Sequence, residues 1–144
     1  MPFKQLYRRR TQSAKLVKWS QMPKIAIVDD DESFRHAITS FVRSLGYAVR
    51  QFASAEAFLK SEYLRDTDCV ISDVQMPGMS GIELQSKLIV EGYHLPLIFI
   101  TAFSETKTRA QALVAGAICF LAKPFHDKEL TKCLNEALGA RAFK

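Results

Sequence analysis

Nothing in this chain is apolar for long enough to cross a bilayer, since a spanning helix needs roughly 20 apolar residues in a row. No long apolar stretch follows the basic N-terminus, so an ordinary secretory signal is not expected. The three cysteines, Cys69, Cys119 and Cys133, are odd in number, far apart and in no C-x-x-C arrangement. They are expected to be thiols in a reducing compartment, serving as buried packing. No two of the histidines His36, His94 and His126 have metal-ligand spacing. Acid is missing from the first 24 residues, which hold Lys4, Arg8, Arg9, Arg10, Lys15, Lys18 and Lys24. The net charge of +5 therefore hides a basic head on a mildly acidic body.

What is present suits one ordinary globular domain: 144 residues, 48% hydrophobic and 24% charged, enough to bury a core. The head, residues 1–21, has no clean period and too few apolar residues for a core of its own. A basic arm attracts nucleic acid or anionic membrane surfaces without specificity. It equally fits an Arg-rich targeting peptide, a loose extension, or residues upstream of a natural start at Met22. The domain proper is expected over residues 22–140.

From Lys24 the pattern is regular. Ile25-Ala26-Ile27-Val28 reads as a strand covered on both faces and stops at Asp29-Asp30-Asp31. Phe34, Ile38, Phe41, Val42 and Leu45 recur at helical spacing, and Gly46 closes that helix. A second strand is expected at Ala48 to Phe52, then a helix capped by Ser54 and running to about Leu64. A third strand, Asp68 to Asp73, leads through the turn-forming Met76-Pro77-Gly78 into a helix from Gly81 to about Val90. Leu97 to Thr101 is a fourth strand, and Ser104 is expected to cap the next helix. Cys119 to Ala122 is a fifth strand, followed by Lys123-Pro124 and a last helix capped by Asp127 or His126. Five strands alternating with five helices imply a doubly wound α/β fold, a parallel sheet with helices on both faces.

In such folds ligands bind beyond the carboxyl ends of the strands. Strands one, three, four and five deliver Asp29 and Asp30, Asp73, Thr101 and Lys123 to that edge. A lone aspartate there is usually a helix cap, a lone threonine a strand former, and a lone lysine a solvated side chain. Their arrival together is what carries weight. Two like charges 4 Å apart cost about 4 kcal/mol at an effective dielectric near 20, so clustered carboxylates call for a cation. Hard oxygen ligands select Mg²⁺, with Mn²⁺ as a substitute, and an open Mg²⁺ site beside a carboxylate suits phosphoryl transfer. Asp73 would be the nucleophile, Thr101 a hydroxyl donor and Lys123 a cation for the phosphoryl oxygens.

Several segments resemble a known family outright. Ile27-Val28-Asp29-Asp30-Asp31, Ile71-Ser72-Asp73-Val74-Gln75-Met76-Pro77-Gly78-Met79-Ser80-Gly81, Ile100-Thr101-Ala102, Gly116-Ala117 and Leu121-Ala122-Lys123-Pro124-Phe125 are similar to receiver domains of two-component response regulators. The triple acid and the F-x-S-A-E-x-F-L stretch from Phe52 to Leu59 most resemble receivers of nitrogen-fixation-type transcriptional regulators. The resemblance runs from about Lys24 to Leu138. It implies a flavodoxin-like strand order 2-1-3-4-5 and Asp73 as phospho-acceptor. Asp30 and Asp73 would bind Mg²⁺ through carboxylates, Gln75 through its backbone carbonyl and Asp29 through water. Lys123 would pair with the phosphoryl group, its bond to Pro124 being cis. Thr101 and Phe120 would be the switch pair, with phenylalanine where the family more often has tyrosine. Gln75, Ala102 and Phe103 would set the phosphoryl lifetime.

The same resemblance implies a cytoplasmic chain that catalyses its own phosphorylation and dephosphorylation but serves mainly as a switch. None of the histidines lies in a phosphotransfer-helix context, so the donor would be a sensor histidine kinase. The output is expected on the face of helix four, strand five and helix five, by homodimerisation or another protein contact, with no direct nucleic-acid binding by the receiver. The chain ends about where a linker would begin, so no output domain is expected within it. Two rival readings remain. One is a haloacid-dehalogenase-type phosphatase with Asp29 as nucleophile and Asp31 as acid, which leaves Asp73 and its loop unexplained. The other is a binding module that works without phosphorylation.

Overall fold

The computed structural model describes residues 22–142. The basic head, and every expectation attached to it, lies outside them. The elements run β1 (Lys24–Val28), α1 (Glu32–Ser44), β2 (Ala48–Phe52), α2 (Ala55–Lys60), a 3₁₀ turn (Leu64–Asp66), β3 (Cys69–Ser72), α3 (Gly81–Val90), β4 (Leu97–Thr101), α4 (Thr106–Val114), β5 (Cys119–Ala122) and α5 (Asp127–Ala142). All strand pairs are parallel, and the order is β2-β1-β3-β4-β5.

Side chains alternate across a strand, so a strand covered on both faces must be apolar throughout. Here the alternation separates two cores. Ala26, Val28, Val70, Leu97, Phe99 and Phe120 pack with Ala55 and Phe58 of α2, Leu84 and Leu88 of α3 and Ala112 of α4. Ile25, Ile27, Cys69, Ile71, Ile98 and Ile100 pack on the other side with Ile38 and Val42 of α1 and Leu130, Leu134 and Ala137 of α5. Each fully buried valine, leucine, isoleucine or phenylalanine among them contributes about 1.5–3 kcal/mol relative to exposure.

Helix starts are pinned by side chains that satisfy otherwise orphaned N–H groups. Asp31 Oδ1 accepts from Phe34 N at 3.1 Å, and Ser54 Oγ accepts from Ala57 N at 3.0 Å. Ser80 and Glu83 form a reciprocal capping box on α3. Gly46, just beyond α1, has φ +96°, a left-handed conformation that a side chain would strain.

The structure departs from the sequence expectations in three places. Ser61 is extended, so α2 stops at Lys60 and the chain reaches Leu64 through the short 3₁₀ turn. The N-cap of α4 is Glu105, not Ser104, and it makes no side-chain cap bond. Cys119 and Cys133 are joined in a disulfide, with Cα atoms 6.0 Å apart, where three thiols were expected. The reason is tertiary: the cysteines are 14 residues apart in sequence, and α5 returns over the face of β5. Cys69 lies outside the bridge, buried in β3.

Candidate active site at the carboxyl edge of the sheet

Register delivers the site. Val28 lies opposite both Phe52 and Ser72, and Thr101 lies opposite Ala122. The next residues continue these ladders: Asp29 N donates to Phe52 O at 3.1 Å, Asp73 N to Val28 O at 3.1 Å, and Lys123 N to Thr101 O at 2.8 Å. Asp29, Asp73 and Lys123 are therefore held by sheet-like bonds at their own backbone, more firmly than loop residues would be.

Their side chains converge. Lys123 Nζ lies 3.3 Å from Asp73 Oδ2 and 3.4 Å from Asp29 Oδ2, bridging the two carboxylates. Carboxylate oxygens of Asp29, Asp30 and Asp73 all fall within 4.8 Å of one another. Asp73 Oδ1 accepts from Val74 N at 2.6 Å and Gln75 N at 3.3 Å. Asp29 is only 3% exposed. Burial pushes its carboxyl above the usual carboxylate range, against the Asp31 N–H and Lys123 that favour the anion, and with Asp73 adding to the rise. A single lysine among three carboxylates leaves excess negative charge, and every nearby donor is a hard oxygen. That donor set fits a divalent cation such as Mg²⁺.

Thr101 is wholly buried, and its Oγ1 accepts from Phe103 N at 3.1 Å, which leaves the hydroxyl hydrogen to be donated. Ala102 and Phe103 follow it on the surface, Phe103 being 60% exposed. Gln75 is exposed in the loop after β3. The Lys123–Pro124 peptide bond is cis. Phe120 is buried, its ring centroid 6.0 Å from that of Phe99. Phe120 therefore faces inward in this structure. Asp31, which the phosphatase reading needs as an acid, is instead committed to capping α1.

Three residues join the site without having been singled out. Phe34 was legible only as part of the apolar stripe of α1, yet Lys123 Nζ sits 3.7 Å from its ring centroid, a cation–π contact. Arg35 donates to Asp29 O at 2.7 Å and to Gln51 Oε1 at 3.2 Å, bracing the end of β1 against β2. Glu56 Oε2 accepts from Met79 N at 3.3 Å and so anchors the loop that follows Asp73. The acidic residue of the F-x-S-A-E segment was the available signal for Glu56; nothing in one sequence marks a helix stripe residue as a lysine's partner.

Comparison with known proteins agrees with this geometry. The family model described as the response regulator receiver domain matches residues 25–135. The response regulator protein TmoT of Ectopseudomonas mendocina is 42% identical over 114 residues, covering 79% of this chain and 52% of that protein. The transcriptional regulatory protein FixJ of Azorhizobium caulinodans is 36% identical over 118 residues, covering 82% of this chain and 56% of that protein. The crystal structure of FixJ-N superposes with a TM-score of 0.73 at 34% identity, over 81% of this chain and 94% of that one. This chain spans about half the length of the curated relatives it matches. With its acidic triad, buried threonine and bridging lysine at the carboxyl edge of a 2-1-3-4-5 sheet, the chain belongs to the response-regulator receiver family.

Proposed function

We propose that this receiver accepts a phosphoryl group on Asp73 from the phosphohistidine of a sensor histidine kinase and uses it to alter a protein-binding face. The observation that carries this is Lys123 Nζ, 3.3 Å from Asp73 Oδ2 and 3.4 Å from Asp29 Oδ2 inside the acidic cluster. An oxygen of Asp73 forms the new bond to phosphorus as the donor's P–N bond breaks, and the imidazole leaves with the electron pair. Asp29, Asp30 and Asp73, with the Gln75 carbonyl, would hold Mg²⁺ or Mn²⁺. When bound, such an ion neutralises the carboxylates and the phosphoryl oxygens, a charge term central to phosphoryl transfer. Lys123 meets one phosphoryl oxygen and Thr101 donates its hydroxyl to another.

The proposed output is the face of α4, β5 and α5, through a second copy of the receiver or another protein, without direct nucleic-acid contact. Phosphorylation replaces the single charge of the Asp73 carboxylate with a phosphoryl group carrying nearly two, a local change able to bias a two-state element with a gap of a few kcal/mol. Thr101 and Phe120 are the linked pair; with Phe120 already inward, phosphorylation would act by holding it there. No helix among the described residues is long and apolar enough to cross a membrane, and we place the protein in the cytoplasm with its kinase partner.

The test is incubation with a small phosphodonor, with and without Mg²⁺, followed by mapping of the modified residue. Labelling on Asp73 that requires the metal and is lost in Asp73→Asn supports the reading. Labelling on Asp29 would overturn it, and a chain that never labels would favour a binding module that works without phosphate.

A further inference from the structure

We infer that Cys119 and Cys133 are a reversible thiol–disulfide site, a covalent clip between β5 and α5 that an external disulfide closes and a dithiol opens. The Cα separation of 6.0 Å falls within the roughly 4.4–6.8 Å that unstrained disulfides span. The clip ties an edge strand to the last helix, which the sheet otherwise holds through apolar contacts such as those of Leu130, Leu134 and Ala137. Glu136 Oε2 lies 4.0 Å from Cys119 Sγ, a contact that a thiol S–H can make and a disulfide sulfur cannot. Cys133 is buried, while Cys119 is half-buried and open to a reagent.

The chemistry follows from that asymmetry. The Cys119 thiolate attacks one sulfur of an oxidant of the disulfide class, such as glutathione disulfide; that S–S bond breaks and one thiol departs. Cys133, its proton released to solvent, displaces the second thiol from the mixed disulfide. Two protein thiols and one external disulfide become one protein disulfide and two external thiols, and a dithiol runs the exchange backwards. The clip joins two of the three elements of the proposed output face. Its value as a restraint on signalling rests on that reading; its existence does not.

The test uses the full chain in glutathione buffers of graded redox poise, quenched by alkylation and mapped by mass spectrometry, with thermal unfolding in parallel. The oxidised chain should yield a linked peptide joining Cys119 and Cys133, with Cys69 alkylated only after unfolding. Dithiothreitol should lower Tm by about 10 °C, from the entropy that closing a loop of this length removes from the unfolded chain. Cys133→Ser should abolish that reducible shift. Cys119→Ser, at the less buried partner, should do the same where a serine at 133 impairs folding. Equal Tm with and without reductant, a persistent glutathione adduct on Cys119, or a bond between chains would overturn the inference. No phosphoryl donor enters the experiment, so its outcome stands apart from that of the receiver reading.

Discussion

Gly81 opens α3 with its N–H donating to Val74 O at 2.8 Å. A Cβ at this position would fall inside van der Waals contact of Asp73 O and lie 2.9 Å from Phe99 Cε1. Neither neighbour can retreat cheaply. Asp73 O accepts from Ser72 Oγ at 2.8 Å, and Phe99 is wholly buried. Gly81→Ala must therefore shift the start of α3 or the backbone of Asp73 itself. Overpacking of this kind costs about 1–3 kcal/mol, which in a domain of this size lowers Tm by roughly 5–15 °C. Labelling of Asp73 by a small phosphodonor should fall by about tenfold or more at a temperature where the variant is folded, because small misplacements of a reacting group are costly. Gly139→Ala is the control: it lies in α5 with nothing within 4 Å of the added carbon, and should gain roughly 0.5–1 kcal/mol. A Gly81→Ala chain that melts within a degree of the parent and labels at the parent rate would refute the close approach.

Three further outcomes are expected. Because burial raises the Asp29 carboxyl in the fold, its contribution is present below the unfolded pKa of about 3.9 and is lost as pH climbs through the raised folded value. In chelator, the parent should lose more stability than Asp29→Asn between mild acid and neutrality; parallel pH–Tm curves would contradict this. Phe34→Leu should slow labelling several-fold and lower Tm by a few degrees, with Phe34→Tyr restoring both, since a ring face within 3.7 Å of the Lys123 ammonium is worth about 0.5–2 kcal/mol; equal rates for Leu and Tyr would discard the contact. Phe103, 60% exposed two residues after Thr101, is expected to hinder the water that hydrolyses the phosphoryl group. Decay of the labelled protein should quicken in Phe103→Ala, and an unchanged half-life would remove Phe103 from that role.

How far the sequence could be read depends on the range of the interaction concerned. Apolar runs ending in acid, threonine or lysine marked four strand ends, because a buried parallel strand must be apolar until it leaves the sheet. Once strand ends are located, topology brings Asp29, Asp30, Asp73, Thr101 and Lys123 together with no further information. The Ser80–Glu83 capping box is written in four consecutive residues. The Cys119–Cys133 bond is not, since residues 14 apart carry no mark of being neighbours until α5 folds back on β5. Phe34 misled for another reason: its helical spacing was real, but it sits at the edge of the buried stripe, where a ring can face the core and a lysine together. Ser104 has good cap chemistry, yet α4 starts one residue later than such a cap would allow.

The bridge that Lys123 makes between Asp29 and Asp73 has a consequence for assembly of the protein. Carboxylates gathered at one sheet edge repel one another, and in some small domains such a cluster folds only around its ion. Here an internal ammonium, backed by an aromatic ring, tethers two of those carboxylates to each other. On the reading proposed above, folding should not require the divalent ion, and a chelator should leave the fold intact. Neutralising that tether should reverse the order of dependence, so that a Lys123→Ala chain leans on the divalent ion for its very shape.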